Sequence, residues 1–157
     1  MLVRPITKEE QLQSAQLFAI AFESPFDPND LTPFAENPCI WAAFDEESGE
    51  MMSTVYVTDY RVQFDGGRYK MGGIGGVASL PQYRRAGGIR ACFQKALPIL
   101  YREGYVFSYL YPFSTAYYRK FGYESCVQRY LAVLDLLLLR PAEFSGLFRL
   151  ARGGALV

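Results

Sequence analysis

Apolar and polar positions along this chain follow two periods, near 3.6 and near 2, and the switches between them mark out its elements. Leu2 to Ile6 reads as a short strand, and Thr7 followed three residues later by Glu10 is a capping-box pattern predicting a helix that runs to about Phe22. Leu12, Ala15, Ala19 and Phe22 recur there at helical spacing, so that side is expected to face a core, while Lys8, Glu9, Gln13 and Gln16 fall elsewhere. Pro25, Pro28, Pro33 and Pro38, interleaved with Asp27, Asn29 and Asp30, break regular structure and predict a loop. Cys39 to Phe44 and Met51 to Phe64 read as strands joined by the polar turn Asp45 to Gly49. Asp65-Gly66-Gly67 then predicts a hairpin into Arg68 to Leu80. Gly72, Gly73, Gly75 and Gly76 in that returning strand forfeit side-chain packing, which predicts a bulge or the close approach of another backbone.

Beyond the polar run Pro81 to Gly87 lies the clearest helical stripe: Ile89, Cys92, Phe93, Ala96, Leu97 and Leu100. Gly104 ends this helix, and Pro98 inside it is expected to kink the last turns by removing an amide donor. Val106 to Tyr111 reads as a strand, Thr115 to Phe121 as a short helix ended by Gly122, and Tyr123 to Leu138 as a final long strand. The order strand, helix, three strands, helix, strand, helix, strand predicts an α/β fold: a mixed sheet with helices packed on it.

Length and composition narrow the function. At 157 residues, half of them apolar, the chain is the size of one domain with a core of its own. Sixteen basic residues balance sixteen acidic ones, so no overall field recruits nucleic acid or an anionic membrane, and any anion site is local. Histidine is absent, and Cys39, Cys92 and Cys126 stand at no metal-ligand spacing, which argues against a metal and for reduced thiols in the cytoplasm. The N-terminus turns charged too early for a signal peptide. The most apolar stretch, Leu131 to Leu139, contains Asp135 and falls well short of the roughly 20 residues that span a bilayer.

Candidate chemistry concentrates in Val77 to Arg90, VASLPQYRRAGGIR, where a strand passes through a basic, glycine-containing loop into the first turn of a helix. Free amides and the dipole at a helix N-terminus attract anions, Gly87 and Gly88 let a phosphate approach the backbone, and Arg84 and Arg85 add charge. Seen alone, the same segment is also what a solvated basic loop looks like. GGIGG at Gly72 to Gly76 is a poor nucleotide loop, because no helix follows it.

Arg84, Arg85, Ala86, Gly87, Gly88, Ile89 resembles the cofactor loop of the GNAT acetyltransferases, Arg or Gln, any two, Gly, any one, Gly or Ala, with Ile89 standing in the last, small position. The order of elements from residue 1 to about 136 is also similar to that fold. The resemblance implies acetyl-CoA as co-substrate, held by Val77, Ala78, Ser79, Arg84, Arg85, Ala86, Gly87, Gly88 and Ile89. Tyr117 to Glu124, YYRKFGYE, following Tyr109 to Ser114, YLYPFS, further resembles the N-terminal domain of the enhanced intracellular survival protein family. That resemblance implies Tyr118 as general acid, and a base that in the family is the carboxylate of the chain's own C-terminus, delivered by a distant domain. Tyr117 and Phe121 read as an aromatic face docked on a sheet.

Acetyl transfer to an amine sets three demands: a base for the amine, a donor for the carbonyl oxyanion, and an acid for the departing thiolate. A backbone amide in Val77 to Ser79 suits the second, since a glycine-distorted strand leaves amides out of the ladder. A phenol, with a pKa of about 10, suits the third. For the base, Glu23, Asp27, Asp30 and Glu36 stand unranked, all acidic loop residues of a kind that is most often merely solvated. The expectation is an N-acetyltransferase acting on a primary amine of a small molecule or peptide. The alternative is an acyl-CoA-binding module, or a truncated domain with little transferase activity. Residues 1–138 are expected to form the GNAT domain, lacking its last strand, and 139–157 a tail or the start of a further domain. Leu136 to Leu139, Leu147, Phe148 and Leu150 would then be covered by missing C-terminal domains or by homo-oligomerisation.

Overall fold

The computed structural model describes residues 1–29 and 39–127. Its elements are β1 (Leu2–Pro5), α1 (Gln11–Phe22), β2 (Cys39–Phe44), β3 (Met51–Phe64), β4 (Gly67–Ser79), α2 (Gly88–Arg102), β5 (Tyr105–Leu110) and α3 (Thr115–Arg119). They form a mixed α/β fold in which the described strands make a five-stranded sheet in sequence order. Every neighbouring pair is antiparallel except β4 and β5, which run parallel because α2 carries the chain back between them. Apolar residues alternate across the sheet. Trp41, Ala43, Val55, Val57 and Ile74 meet Cys92, Phe93, Ala96 and Leu100 of α2, whereas Ala42, Phe44, Met51 and Ala78 cluster with Leu17 of α1.

On α2 the stripe residues Cys92, Phe93, Ala96 and Leu100 are buried and Ile89 and Leu97 partly so, and Glu103 and Gly104 close the helix, Gly104 at a φ of 84°. Pro98 does not end it; the Arg102 side chain donates to the Pro98 carbonyl at 3.1 Å. Helix α1 differs from expectation in two ways. It starts at Gln11, after a turn in which the Glu10 carboxylate accepts from the Thr7 amide at 2.8 Å, so only half of the capping box is made. The same carboxylate takes both guanidinium nitrogens of Arg4, at 2.7 and 2.8 Å. Its buried residues are Ser14, Ala15 and Leu17, while Leu12, Ile20 and Phe22 are exposed. The helix is apolar on most sides, so periodicity does not fix its rotation; a polar contact does, the Ser14 hydroxyl lying 2.8 Å from that of buried Tyr56.

That tyrosine also explains the glycines of β4. Thr54 stands opposite Ala78 but Tyr56 opposite Gly75, two steps on β3 against three on β4, so an extra residue bulges at Gly76 and Val77. Gly76 has φ +50°, and a Cβ built there would lie 2.5 Å from Cγ of Tyr56. The Thr54 hydroxyl donates to the Gly76 carbonyl at 3.0 Å and fixes the distortion.

The final strand expected over Tyr123 to Leu138 does not begin where the pattern placed it. Residues 123–127 carry no strand, and 128–138 lie outside the described residues. The Tyr123 amide is used in ending α3: it donates to the Tyr118 carbonyl at 3.3 Å across Gly122, whose φ is 89°. The first compact unit of the chain is Met1–Glu124; the second, Ser125–Val157, is described only as far as Val127.

Gly76→Ala is expected to lower unfolding free energy by about 2–4 kcal/mol, the sum of a left-handed φ for alanine and overpacking against a fixed ring. Gly75→Ala, whose Cβ would meet nothing within 4 Å, is the near-neutral control. Urea denaturation of both variants beside the parent measures the difference, and equal midpoints would refute the account of the bulge.

Candidate functional site

Between β4 and α2 the chain winds through a 3₁₀ turn, Pro81–Tyr83, and a tight basic loop. Amides of Tyr83, Arg84 and Ala86 donate to the carbonyls of Leu80, Pro81 and Tyr83. The Tyr83 hydroxyl donates to the Glu50 carboxylate at 2.8 Å, tying the loop to the β2–β3 turn and holding the Tyr83 phenol above its usual pKa range. Arg85 at φ 70° and Gly87 at φ 89° reverse the chain into the helix. No side chain caps α2. Its first backbone bond runs from the Ala91 amide to the Gly87 carbonyl, and among the described residues the amides of Gly87, Gly88, Ile89 and Arg90 have no acceptor. Acceptor-less amides at a helix start have the polarity that suits an anion.

Gly88 is buried against the sheet on the side where a side chain would stand. A Cβ at this position would lie 2.5 Å from Oγ of Ser53 and 3.3 Å from Cβ of Ala43, so the missing side chain lets α2 settle on β2 and β3. Ser53, fully buried, shares a 2.6 Å hydrogen bond with Ser79 at the end of β4. The parallel pairing of β4 with β5 stops at Ile74 and Leu110, so Gly75 to Ser79 have no partner among the described residues on the β5 side. A strand end paired on one side only, among the described residues, therefore runs up to an uncapped helix start.

A cleft of about 230 Å³ opens there, walled by Ser79, Tyr83, Arg85, Gly87, Gly88, Ile89, Arg90, Tyr117, Lys120 and Phe121. Of the residues singled out in the sequence, Ser79, Arg85, Gly87, Gly88 and Ile89 line it. Arg84 and Ala86 are exposed beside it, Val77 packs on the α2 side of the sheet, and Ala78 is buried toward α1. Sequence reasoning missed Tyr83, Arg90 and Lys120. Tyr117 and Phe121, read as packing residues, do pack around Phe93 and also wall the cleft. Tyr118 is only 4% exposed and is not one of the walls. Its ring stands edge-on to Phe93, Phe113, Tyr117 and Tyr123, and burial pushes its phenol up to about 12. Glu23 caps the end of α1 at φ 51°, and the Asp27 carboxylate is turned onto the Asn29 amide at 2.8 Å. Asp30 and Glu36 lie outside the described residues. Among the described residues no three His, Cys, Asp or Glu side chains gather as a metal site, and no helix is long and apolar enough to cross a membrane.

Comparison with known proteins agrees with this architecture. A conserved protein of Enterococcus faecalis V583, a probable N-acyltransferase, is 35% identical and superposes with a TM-score of 0.72 over 78% of this chain and 32% of its own. This chain thus spans about a third of that protein's length. Two structures share the fold at lower identity: Eis1 of Mycobacterium abscessus (18%, TM-score 0.68, 78% of this chain and 31% of that one), and a GCN5-related N-acetyltransferase of Kribbella flavida (23%, 0.63, 76% and 32%). No curated protein matches. The model of the acetyltransferase (GNAT) domain matches residues 2–126, and the chain, with its α/β sheet, bulged β4 and open cleft, belongs to the GNAT acetyltransferase family.

Proposed function

We propose that the chain binds acetyl-CoA in the cleft at the start of α2 and transfers the acetyl group to a primary amine of a small molecule or peptide. The observation that carries this reading is the meeting of four acceptor-less amides, Gly87 to Arg90, with Arg85 in a cleft that Ser79, the last residue of β4, also walls, where β4 has no described partner on its β5 side. Such a site suits a pyrophosphate joined to an extended chain: the amides and the helix dipole attract the anion, Arg85 adds a charge-assisted contact, and the strand end offers backbone groups to an amide-bearing arm. Acetyl-CoA supplies the activated acetyl thioester when bound. In this reading a backbone amide of Val77 to Ser79 donates to the carbonyl oxygen as negative charge develops there. Tyr118 gives its proton to the departing sulfur, and the amine's proton goes to a base that this reading leaves unassigned. Among the described residues no carboxylate lines the cleft.

Acetyl-CoA is expected to raise the melting temperature, the stabilisation reaching about 2.7 kcal/mol at a hundred times the dissociation constant. Arg85→Glu should remove most of the shift and Arg84→Glu much less, because only Arg85 lines the cleft. Thermal melts with and without the ligand test this; a shift of normal size in Arg85→Glu would place the pyrophosphate elsewhere.

Tyr118→Phe should leave acetyl-CoA binding nearly intact while lowering acetyl transfer by roughly 10²–10⁴, the usual cost of losing a general acid. Because the phenol is raised to about 12, its protonated form persists below that pH and is lost only as pH climbs through it. The parent's rate profile should therefore show no alkaline fall from Tyr118 below about pH 10, the ordinary phenol value. Rates with an amine panel, for Tyr118→Phe beside Tyr117→Phe, measure this, and equal rates in parent and Tyr118→Phe would return Tyr118 to a packing role. Binding without transfer in the parent would identify an acyl-CoA-binding module.

A further inference from the structure

The cleft carries more positive charge than a pyrophosphate calls for. Arg85, Arg90 and Lys120 all wall it, from the loop, the first turn of α2 and the residue after α3. None takes part in a salt bridge among the described residues, where the ion pairs are the N-terminus with Glu46, Arg4 with Glu10 and Arg119 with Glu124. The contrast at Arg119 and Lys120 is informative: neighbours in sequence, one is neutralised by Glu124 while the other turns into the cleft with only the Tyr117 ring, 5.8 Å from its ammonium. Arg90 also faces Tyr117, where its charge opposes the upward push of burial on that phenol. Arg90 and Lys120 thus flank one aromatic wall from two different elements, and among the described residues neither has an anionic partner. With Arg85 and four free amides already present for a pyrophosphate, this second pair is matched to a further anionic group on the same ligand.

We propose that Arg90 and Lys120 form a subsite for the ribose 3′-phosphate of coenzyme A, so that the chain distinguishes coenzyme A from 3′-dephospho-coenzyme A. This rests on the acetyl-CoA reading above and adds to it the recognition of the ligand's far end. A phosphate monoester carries about −1.5 to −2 charges at neutral pH, and an arginine with a lysine is a set of donors suited to it. The subsite takes no part in the acetyl transfer itself and acts through affinity.

The test is calorimetric titration of the full chain with coenzyme A and with 3′-dephospho-coenzyme A at one fixed ionic strength. The parent is expected to prefer coenzyme A by about tenfold or more, the scale of one charge-assisted contact. The double variant Arg90→Ala, Lys120→Ala should lose that preference by binding coenzyme A more weakly while holding the dephospho ligand as before. Both side chains are exposed, and an unfolding curve for the variant checks that it folds. Arg119→Gln, which removes a neighbouring charge outside the cleft, should keep the preference. Equal affinity of the parent for the two ligands overturns the subsite and leaves the acetyl-CoA reading standing. A preference that survives in the double variant, or that Arg119→Gln removes as well, also overturns it. If neither ligand binds the parent, the acetyl-CoA reading itself fails.

Discussion

The close approach of α2 to the sheet at Gly88 is the constraint on which the site depends. A helix whose first residue bore a side chain would meet Oγ of Ser53 and Cβ of Ala43, both on buried strands that have no room to yield. With that residue a glycine, the helix start settles beside the end of β4, and Ser53 links the two by its bond to Ser79. The four free amides therefore stand at a fixed place relative to the strand end. The bulge at Gly76 acts on the other partner. It lies two residues beyond Ile74, where the pairing of β4 with β5 stops, and bulges bend a strand and increase its twist. One glycine brings the helix in, and another accompanies the parting of the strands; the cleft lies where these two effects meet.

Much of this was legible in the sequence because it is local. β2 and β3 fall at Cys39–Phe44 and Met51–Phe64 as read, since strand composition and a polar turn reside in contiguous residues. The glycine run announced a bulge because glycine in a strand interior gives up packing for a reason. The uncapped start of α2 was legible because the residue before Gly88 is a glycine, which has no side chain to cap it. What the sequence left hidden depends on contacts between distant segments. The rotation of α1 was set by Ser14 and Tyr56, forty-two positions apart. Gly88 also makes room for Ser53, a role that needs the partner strand. Arg90, Lys120 and Tyr117 join Arg85 only once α3 folds back on α2. The spacing of Tyr117 and Lys120, three apart and thus on one side of a helical turn, was the available signal.

Helix α3 has five residues, too few to persist by backbone hydrogen bonds alone, because nucleation is unfavourable and short helices are marginal. Its N-terminus is capped by Ser114, whose hydroxyl accepts from the Tyr117 amide at 3.3 Å, but rings fix its place. Phe93 of α2 stacks on Phe121 with centroids 4.5 Å apart and meets Tyr118 and Tyr123 edge-on. Tyr123 is in turn held by a 2.5 Å hydrogen bond to Ser108 of β5. The short helix is thus clamped between α2 and β5, the elements on either side of the chain reversal at Gly104.

This clamp bears directly on how Tyr118 could act as an acid. A buried phenol is costly to ionise, and its raised pKa is the price of that position. The same burial makes Tyr118 a weaker proton donor to bulk water and keeps it protonated throughout the physiological range, which is the state an acid needs before the thiolate forms. Its location is set by Phe93, on the helix whose first turn presents the free amides. A displacement of α2 on the sheet would move the amides relative to β4 and also relative to Tyr118, which β5 helps to hold through Tyr123. Substitutions at Ser53 or Gly88 should therefore disturb the registry between the strand end and the amides, whereas substitutions at Phe93 should disturb the placing of Tyr118 against α2.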